Sequence, residues 1–477
     1  MFNHDGRSLT AGAADLSPAG ILRLWLGVRA PVNRTAYAVS GVLLMALKYA
    51  VEALAVWTFT GRVFQPWDFL NPVLSRRIEL LQPAPEWLAW GMFLWSLPFL
   101  WICVSMSVRR AADAGLSPWF GLWVLVPVVN LAFMVLLSAL PHKPQRPAAA
   151  GEVDSTRVAT PRGSAPSAAL AVGLSILVGG CMLWLSAYLF ATYGASLFLG
   201  TPLLMGATAA YLDNRWHPGS FRRAMGLGLL SVLFAEIAML LFALEGVICL
   251  AMAAPLILPV GAMGGLIGKM IADATQRPAS ELVAALVILP LVAGGEALFV
   301  APGENVVLTA VEVDARPEVV WEHVVGFPDL TEQPAWYFTW GIACPVRATI
   351  EGQGIGATRF CEFTTGTFVE PITAWEHPSR LAFDVTQQPP ALIELSPYRH
   401  VHPPHFSGYL TSKRGEFRLT ELPGGRTLLE GRTWYTFAMY PERYWTLWSD
   451  MLIHRIHGRV LEHIKQLSEA SANEGPR

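Results

Sequence analysis

Three polar residues near the C-terminal end of the chain have the types and spacing for acid–base chemistry. Asp450, His454 and His457 lie four and three residues apart, so on a helix they share one edge. A carboxylate and an imidazole held close together are suited to moving a proton, and these three residues are the candidate catalytic set. The candidate metal set, made of zinc-ligand types on the preceding loop, is His400, His402 and His405. Because no compact ligand motif is present, the favoured interpretation is an Asp–His pair on the helix and solvated histidines on the loop, without metal or cofactor.

A second set of candidates is aromatic and suits binding rather than reaction. Aromatic side chains commonly line apolar ligand pockets, although each one is also explained by core packing. The candidate ligand-binding residues are Trp321, Trp336, Trp340, Trp375, Trp434, Trp448 and Tyr409. Polar residues within strand-like runs, among them Glu370 and Arg432, are further candidates, but alternation alone does not tell which of them point inward.

The candidate functional residues within or beside long apolar stretches are Lys48, Glu52, Glu236 and Glu245, and Glu296 also falls in the last expected span. Charges in lipid are costly and often functional. Lys48 and Glu52 are four residues apart and are expected to pair on one helix face. For Glu236 and Glu245, a hydrogen-bonded carboxyl at a helix contact is the plainer expectation, and a proton-coupled transporter would show more such groups.

The composition of the chain indicates that these residues belong to two parts of different kinds. The chain has 477 residues, 53% of them hydrophobic and 15% charged, against about 25% charged in soluble domains. Residues 1–301 carry 34 of the charged side chains and residues 302–477 carry 36. This split predicts a membrane part followed by a water-exposed part, and excludes a wholly soluble enzyme, a disordered chain and a disulfide scaffold. A net charge of −2 without a basic block argues against nucleic acid as a partner.

The membrane part contains eight apolar stretches near the ~20 residues that a helix needs to cross a bilayer. A Pro-, Ala- and Ser-rich linker at residues 141–167 separates a three-span module (residues 1–140) from a five-span module (residues 168–301). No signal peptide is recognisable, so insertion is expected to use the internal spans. The expected spans are Tyr37–Phe59, Trp87–Ser107, Trp119–Leu140, Ala168–Ala191, Gly194–Leu212, Ala224–Leu244, Val247–Ile267 and Leu282–Ala301.

The two modules disagree about orientation in what we expect to be a bacterial inner membrane. Basic residues favour cytoplasmic loops. Arg29 and the Arg109–Arg110 pair place the N-terminus inside, whereas the charges around Arg223 and Lys269 place the loops after the fifth and seventh spans inside. Eight crossings cannot satisfy both, so we expect one span to be miscounted or re-entrant. The second module is slightly favoured, and the side of the C-terminal domain stays open.

The stretch from about Trp25 to Leu140 resembles the bacterial membrane family called domain of unknown function 805. The resemblance rests on APVNRTAYAVS before the first span and on RRAADAGLSPWFGLWVLVPVVN from Arg109 to Asn130. The family's chemistry is not established, so the resemblance implies a membrane module and little mechanism. The two arginines are expected to bind lipid phosphates, with an acidic residue able to pair with them. The motif residues are Arg109, Arg110, Asp113, Gly115, Ser117 and Trp119.

Residues 302–477 change from helical to alternating periodicity, which is typical of strands. The pattern predicts one strand, a helix at Pro317–Val325, six strands in a meander, and a long helix at about Pro441–Glu469. This order, with VEVDARPEVVWEHVVGFPDL and ITAWEHPSRLAFDV, resembles the START-like helix-grip superfamily, also called SRPBCC or polyketide cyclase/dehydrase. The resemblance implies an antiparallel sheet around the terminal helix, with a cavity for lipids, polyketides or other apolar molecules. The long insert Pro389–Gly415 is expected to act as a lid over the cavity mouth.

The fold class expected is therefore a multi-pass α-helical membrane protein with a C-terminal α+β helix-grip domain. The favoured function is a membrane-tethered binding protein for an apolar or amphipathic, lipid-like ligand, with the bilayer as its second partner. An enzyme of the cyclase or hydrolase kind, using Asp450 and the helix histidines, is a less favoured alternative. A transporter or sensor regulated by the soluble domain is another. The oligomeric state is left undetermined.

Overall fold

A computed structural model gives the fold of the chain and describes residues 17–70, 80–81, 84–126, 129–143, 168–274, 281–299, 302–396 and 408–474. The chain divides into two compact units. The first comprises Met1–Ser175, Leu203–Ser231 and Gly261–Ile288, and the second comprises Ile176–Pro202, Val232–Val260 and Leu289–Arg477. His400, His402 and His405, together with the centre of the expected lid, lie outside the described residues.

Helices account for the part of the chain before residue 300. They are α1 (Pro18–Leu26), α2 (Arg34–Thr60), α3 (Pro66–Leu70), α4 (Glu86–Asp113), α5 (Val129–Ala139), α6 (Ala168–Trp184), α7 (Thr201–Trp216), α8 (Phe221–Leu241), α9 (Val247–Ala274) and α10 (Glu281–Phe299). A 3₁₀ helix covers Pro118–Leu125, and π-helical turns cover Leu185–Leu189 and Ser196–Gly200.

The expected count of eight spans is not confirmed. Within the described residues, five helices are long and apolar enough to cross a membrane, and Val129–Ala139 and Leu286–Leu298 are shorter apolar helices. The expected span Trp119–Leu140 is not one helix, because it consists of the 3₁₀ helix and then α5. The 11 residues of α5 are about 16 Å long, half of the ~30 Å hydrocarbon core. The five long helices are Arg34–Thr60, Trp87–Asp113, Ala168–Leu189, Phe221–Leu241 and Val247–Ala274.

The arginine pair that ends α4 is buried and does not face lipid phosphates. Arg109 is 2% exposed and donates from Nη2 to the Leu24 carbonyl (2.6 Å) and from Nη1 to the Ala30 carbonyl (3.1 Å). Arg110 is fully buried and donates to the carbonyls of Leu137 and Leu140. The last carbonyls of a helix lack partners within it, so these guanidinium groups cap the C-terminal ends of α1 and α5.

The remaining motif residues shape the turn after α4. Gly115 has a φ of +74°, and the Leu116 amide donates to the Ala111 carbonyl at 2.9 Å, which is the C-terminal cap that favours glycine. Asp113 accepts from Arg110 Nη1 at 2.5 Å. Ser117 and Trp119 are buried at the start of the 3₁₀ helix, and Trp119 meets the Tyr211 ring edge-on at 5.3 Å. The motif therefore joins helix ends within the first unit.

The C-terminal part forms a seven-stranded antiparallel sheet in the order β1-β7-β6-β5-β4-β3-β2, with α11 (Pro317–Val325) between β1 and β2 and α12 (Glu442–Glu474) after β7. Pro317 begins α11 and Glu318 lies in its first turn, as helix starts favour. The strands are β1 (Glu304–Val313), β2 (Pro345–Glu351), β3 (Thr358–Phe363), β4 (Gly366–Glu376), β5 (Arg380–Asp384), β6 (Leu410–Leu422) and β7 (Arg426–Phe437). β6 begins at Leu410, so the end of the expected insert belongs to the sheet.

Two hydrophobic clusters hold the second unit together. One lies inside the C-terminal domain, where the buried side chains of Trp321, Leu381 and Leu461 pack with others from the sheet and both helices. The other joins Tyr435 and Trp445 of the domain to side chains from apolar segments earlier in the chain, including Tyr193, Phe198 and Ile257. The Tyr440 amide donates to the Tyr193 carbonyl at 2.9 Å. The domain is therefore packed onto membrane segments of its own unit and not only tethered by the chain.

Candidate ligand-binding cavity

A cavity of about 170 Å³ lies between the sheet and α12. Much of its wall is apolar. Strands β3, β4 and β6 contribute to the wall, and every second residue of a strand points to the same face of the sheet. The apolar wall includes Phe363, Phe368, Phe383, Phe417, Leu452 and Ile456. The volume is close to the ~150 Å³ of an engineered cavity that takes up benzene. In this conformation the cavity therefore has room for about one ring.

A buried ion pair stands in the cavity wall. Arg359 on β3 and Glu370 on β4 are cross-strand partners, and Arg359 Nη1 donates to Glu370 Oε2. They are only 2% and 6% exposed. Burial raises the pKa of the Glu370 carboxyl, and the Arg359 guanidinium opposes that rise. Such a pair is costly to desolvate, so it is weak evidence for stability and directs attention to function.

Aromatic rings surround the guanidinium of this pair. The Arg359 Cζ atom lies 5.4 Å from the ring centroids of both Phe383 and Phe417, and 5.8 Å from that of Phe327. These distances are within cation–π range. Among the described residues no hydrogen-bond partner is found for Arg359 Nε. The wall thus presents a charged group with one unused donor inside an aromatic enclosure.

A second carboxylate is buried in the cavity wall. Glu416 on β6 is 6% exposed, accepts from Arg380 Nε at 3.0 Å and lies 3.3 Å from Arg418 Nη2. Arg432 and Thr433 on β7 also line the cavity. The cavity is therefore not apolar throughout, because several polar groups converge on it.

His457 is the member of the candidate catalytic set that lines the cavity. Its Nδ1 lies 3.2 Å from Thr309 Oγ1 and its Nε2 lies 2.8 Å from Thr433 Oγ1, so both ring nitrogens have hydroxyl partners. His454 Nδ1 lies 2.8 Å from the same Thr309 hydroxyl. Burial and, to a smaller extent, the neighbouring His454 together lower the pKa of His457 to about 4. At neutral pH, His457 is an uncharged hydrogen-bonding group.

Asp450 lies at a different place from the two histidines. Its Oδ1 accepts from the fully buried Tyr435 hydroxyl at 2.5 Å, and Ser449 Oγ lies 2.8 Å from the same hydroxyl. Burial raises the pKa of Tyr435. The structure therefore brings His454 and His457 together on Thr309 and places Asp450 against Tyr435. Among the described residues no group of three His, Cys, Asp or Glu side chains is arranged to hold a metal.

Five of the six candidate tryptophans lie in three different environments. Trp321 and Trp375 meet edge-on at 5.5 Å, Trp321 being buried in the domain core and Trp375 packed against it. Trp336 and Trp340 are 65% and 53% exposed. Trp434 stacks under the Arg414 guanidinium at 4.6 Å.

The last two aromatic candidates lie at the cluster shared with the membrane segments. Trp448 packs against that cluster. Tyr409 donates from its hydroxyl to the Ala191 carbonyl at 3.0 Å and meets the Tyr193 ring at 5.1 Å. None of the seven aromatic candidates is among the described residues that line the cavity, where the apolar part of the wall consists of phenylalanine and aliphatic side chains.

The candidate intramembrane residues are all buried or paired. Lys48 Nζ donates to Glu52 Oε1 and lies 5.4 Å from the centre of the Phe69 ring. Glu236 is 6% exposed, and its Oε1 has no hydrogen-bond partner among the described residues. Glu245 is 7% exposed, in the turn between α8 and α9.

Sequence reasoning missed Arg359, Glu416 and Glu394. Glu394 is a loop residue whose carboxylate accepts from the amides of Ile248 (3.0 Å) and Cys249 (2.9 Å) at the start of α9. Arg359 alternates with Cys361 and Phe363 along β3, so an inward-facing charge was available as a signal once the buried face of that strand was known. Nothing in the local sequence marks Glu394 as a helix cap 146 residues away.

The comparison with known families agrees with the resemblance of the first membrane module. The family described as Protein of unknown function (DUF805) matches residues 26–147. No curated protein matches the chain. A protein from Nitrosospira multiformis is similar in structure at 18% identity, over 35% of this chain and 99% of that one, with a TM-score of 0.23. Norcoclaurine synthase from Thalictrum flavum is similar in structure at 12% identity, over 36% of this chain and 99% of that one, with a TM-score of 0.25. The di-domain ARO/CYC StfQ from the steffimycin biosynthetic pathway is similar at 13% identity, over 41% of this chain and 61% of that one, with a TM-score of 0.25.

The sheet order and the long terminal helix are themselves those of the helix-grip fold. The chain combines a segment that matches DUF805 with a C-terminal domain in which a seven-stranded antiparallel sheet is followed by a long helix.

Proposed function

We propose that the C-terminal domain binds a small amphipathic molecule, one with an apolar ring or short chain and a polar oxygen. The observation that carries the proposal is the Arg359–Glu370 pair, buried in an aromatic wall with Arg359 Nε unused. A hydroxyl or carbonyl oxygen on the ligand would accept from the guanidinium, and the rings would cover the apolar part. A buried, unsatisfied donor is costly, and the ligand would remove that cost.

The size of the cavity limits what it takes up without rearrangement. About 170 Å³ is below the ~300–1,000 Å³ of drug-sized pockets, so a full acyl chain requires the wall to open. Burying a ring of about 150 Å² gains roughly 4 kcal/mol before the costs of association. Weak binding of single-ring molecules is therefore expected from the closed state, and tighter binding from larger ligands that open it.

The test uses the full chain in detergent or nanodiscs. Small molecules that co-purify are identified by mass spectrometry, and benzyl alcohol, benzoate and toluene are titrated as probes. A double variant, Arg359→Met with Glu370→Gln, keeps the volume while removing both charges. We expect it to lose the preference for the oxygen-bearing probes and to keep toluene binding. Arg426→Met, on an exposed ion pair with Glu312, is the control. Equal affinities of all three probes for the wild-type chain would contradict the proposal.

A sensor role is a second candidate, favoured by the cluster that the domain shares with apolar segments of its unit. Tyr435 belongs to β7, which lines the cavity, and it also packs in the cluster with Tyr193 and Phe198. A ligand that moves β7 or α12 would therefore act directly on those segments. Probe-dependent changes in hydrogen exchange at residues 190–200 would support this role, and unchanged exchange there would count against it. Catalysis has less support, because His457, with its low pKa, is a weak base at neutral pH.

We further propose that the segment after α4 is re-entrant. Arg110, at the end of α4, donates to the carbonyls of Leu137 and Leu140 at the end of α5. The chain therefore returns to the end of the helix that it left, and residues 114–140 do not cross. Removing this span leaves seven crossings, formed by α2, α4, α6, the stretch from Ser196 to Trp216, α8, α9 and α10.

Seven crossings reconcile the basic residues of both membrane modules. The segments around Arg29, Arg109, Arg223 and Lys269 then all lie on one side, which the positive-inside rule makes cytoplasmic. A contact within the first unit supports this arrangement: Arg29 Nε lies 3.7 Å from Asp273 Oδ2 at the end of α9. With the re-entrant segment, six crossings separate Arg29 from Asp273, and an even number returns the chain to the same side. If residues 119–140 also crossed, seven crossings would place the two residues on opposite sides.

The C-terminal domain is then on the non-cytoplasmic face of a bacterial inner membrane. Alkaline phosphatase fused after residue 474 should be active and green fluorescent protein at the same position dark, with the opposite pattern for fusions at His217. A fluorescent C-terminal fusion would refute the assignment.

A further inference from the structure

Two tryptophans of the C-terminal domain are exposed side by side. Trp336 and Trp340 are 65% and 53% exposed, and their rings meet edge-on with centroids 5.0 Å apart. Ile393, 59% exposed, lies beside them, because its amide donates to the Gly341 carbonyl at 2.8 Å. Leu395 is 40% exposed two residues further on. We call these four residues the aromatic patch. Contiguous exposed apolar side chains usually mark a surface that something covers.

A six-residue strap, Pro390–Leu395, joins this patch to the cavity. Pro390 and Ala391 line the cavity, and the Ala343 amide donates to the Ala391 carbonyl at 3.0 Å. Gly341 holds the other side of the strap. Its φ is +99°, and a Cβ there would lie 2.1 Å from the Ile393 carbonyl oxygen. The strap is therefore both the outer face of the patch and part of the cavity wall.

The far end of the strap is bound to the start of a membrane helix of the same unit. Glu394 accepts from the amides of Ile248 and Cys249, and the Leu395 carbonyl accepts from the Val247 amide at 2.9 Å. These are amides that the first turn of a helix leaves without partners, and a carboxylate there also meets the positive end of the helix dipole. The strap therefore caps α9.

This contact fixes the depth of the aromatic patch relative to the bilayer. α8 and α9 are both long and apolar enough to cross, so the turn between them, residues 242–246, lies at a surface of the bilayer. The strap is bound immediately after that turn, so it lies at headgroup level. Tryptophan is enriched at this level because its ring is apolar and its N–H is polar.

We propose that the aromatic patch is embedded in the headgroup region of the bilayer, where lipid covers Trp336, Trp340, Ile393 and Leu395. If the cavity binds the amphipathic molecule of the proposed function, on which this part of the inference rests, the strap is the wall through which that molecule passes between bilayer and cavity. The lipid contact itself does not depend on any ligand.

The test places an environment-sensitive nitrobenzoxadiazole label at residue 336 of the full chain in phosphatidylethanolamine/phosphatidylglycerol nanodiscs. The variant is Trp336→Cys, and Trp340→Cys is made in parallel. Ile355→Cys is the control, since Ile355 is 74% exposed on a hairpin turn outside the patch. Label attached to the wild-type chain gives the background from the native cysteines.

We expect a lipid that carries a doxyl group near the headgroup to quench the label at residue 336 or 340. We expect aqueous iodide to quench that label at most about half as strongly as it quenches the label at residue 355. Equal iodide quenching at all three positions, with no quenching by the doxyl lipid, would overturn the proposal. Both readouts are independent of the ligand titrations, so the two proposals succeed or fail separately.

Discussion

Removing Arg359 alone should destabilise the C-terminal domain far more than removing an exposed arginine. Arg359→Met leaves the Glu370 carboxylate buried at 6% exposure without its cation. Breaking a buried pair in this way costs about 3–5 kcal/mol, whereas an exposed pair such as Arg426–Glu312 contributes about 0–1 kcal/mol. For a domain of this size the loss corresponds to a fall in Tm of roughly 6–20 °C. Thermal unfolding followed by near-UV circular dichroism of the full chain in detergent measures it.

The pH dependence of this variant separates charge from packing. Burial raises the pKa of Glu370, and without Arg359 nothing opposes that rise. A raised carboxyl pKa means that stability is retained below the unfolded-state pKa of about 4.3 and is lost as the pH rises through the folded-state value. The difference in Tm between Arg359→Met and the wild type should therefore become smaller as the pH is lowered from 7 towards 4.5. Adding Glu370→Gln should recover most of the loss at pH 7.

Two results would refute this reasoning. The first is a fall in Tm for Arg359→Met no larger than that for Arg426→Met. The second is a deficit that stays constant between pH 4.5 and 7, which would assign the loss to packing against the phenylalanine rings.

Three further substitutions test other parts of the structure. His457→Gln should flatten the acid dependence of stability between about pH 6.5 and 4, because a depressed histidine pKa stabilises the fold above 6.5 and that contribution is lost as the pH falls to 4; acid titrations of Tm that coincide with the wild type would contradict it. Arg110→Lys should lower the Tm about as much as Arg110→Met, since a lysine ammonium cannot reproduce the fork that spans the Leu137 and Leu140 carbonyls; full stability of the lysine variant would show that charge alone suffices. Gly246→Ala should weaken the contact of Glu394 with α9, because the new Cβ would lie 2.1 Å from its carboxylate oxygen, and faster hydrogen exchange at residues 390–395 checks this.

The fold of the C-terminal domain was predictable because alternation is local. In strand β1 the less exposed positions alternate with exposed ones from Val307 to Val313, and this alternation is visible in the sequence. Pro317 marks the start of the next helix. The number of membrane crossings was not predictable in the same way. Hydropathy is the same for a residue in a crossing and in a re-entrant segment. The proposal of a re-entrant segment rests instead on the hydrogen bonds from Arg110 to carbonyls near residue 140.

The cavity was predictable as a place but not as a set of residues. Glu370 was a candidate, yet its partner Arg359 becomes visible only through the β3–β4 register, which the sequence does not contain. Tryptophans such as Trp336 and Trp434 were reasonable pocket residues by type. They lie elsewhere because the inner face of the sheet is filled by phenylalanines, whose rings need no hydrogen-bond partner.

The cap that Glu394 places on α9 has a consequence for the order of biogenesis. The helix start and the residue that completes it are separated by about 146 positions, which at 5–20 residues per second is roughly 7–30 s of translation. During that interval the newly inserted helix has bare amides at its end, exposed to water and headgroups. The last third of the chain must therefore emerge and fold on the same face of the membrane as that end before the helix is finished. Truncations that stop before residue 394 should leave the start of α9 frayed, even though every residue of the helix is present.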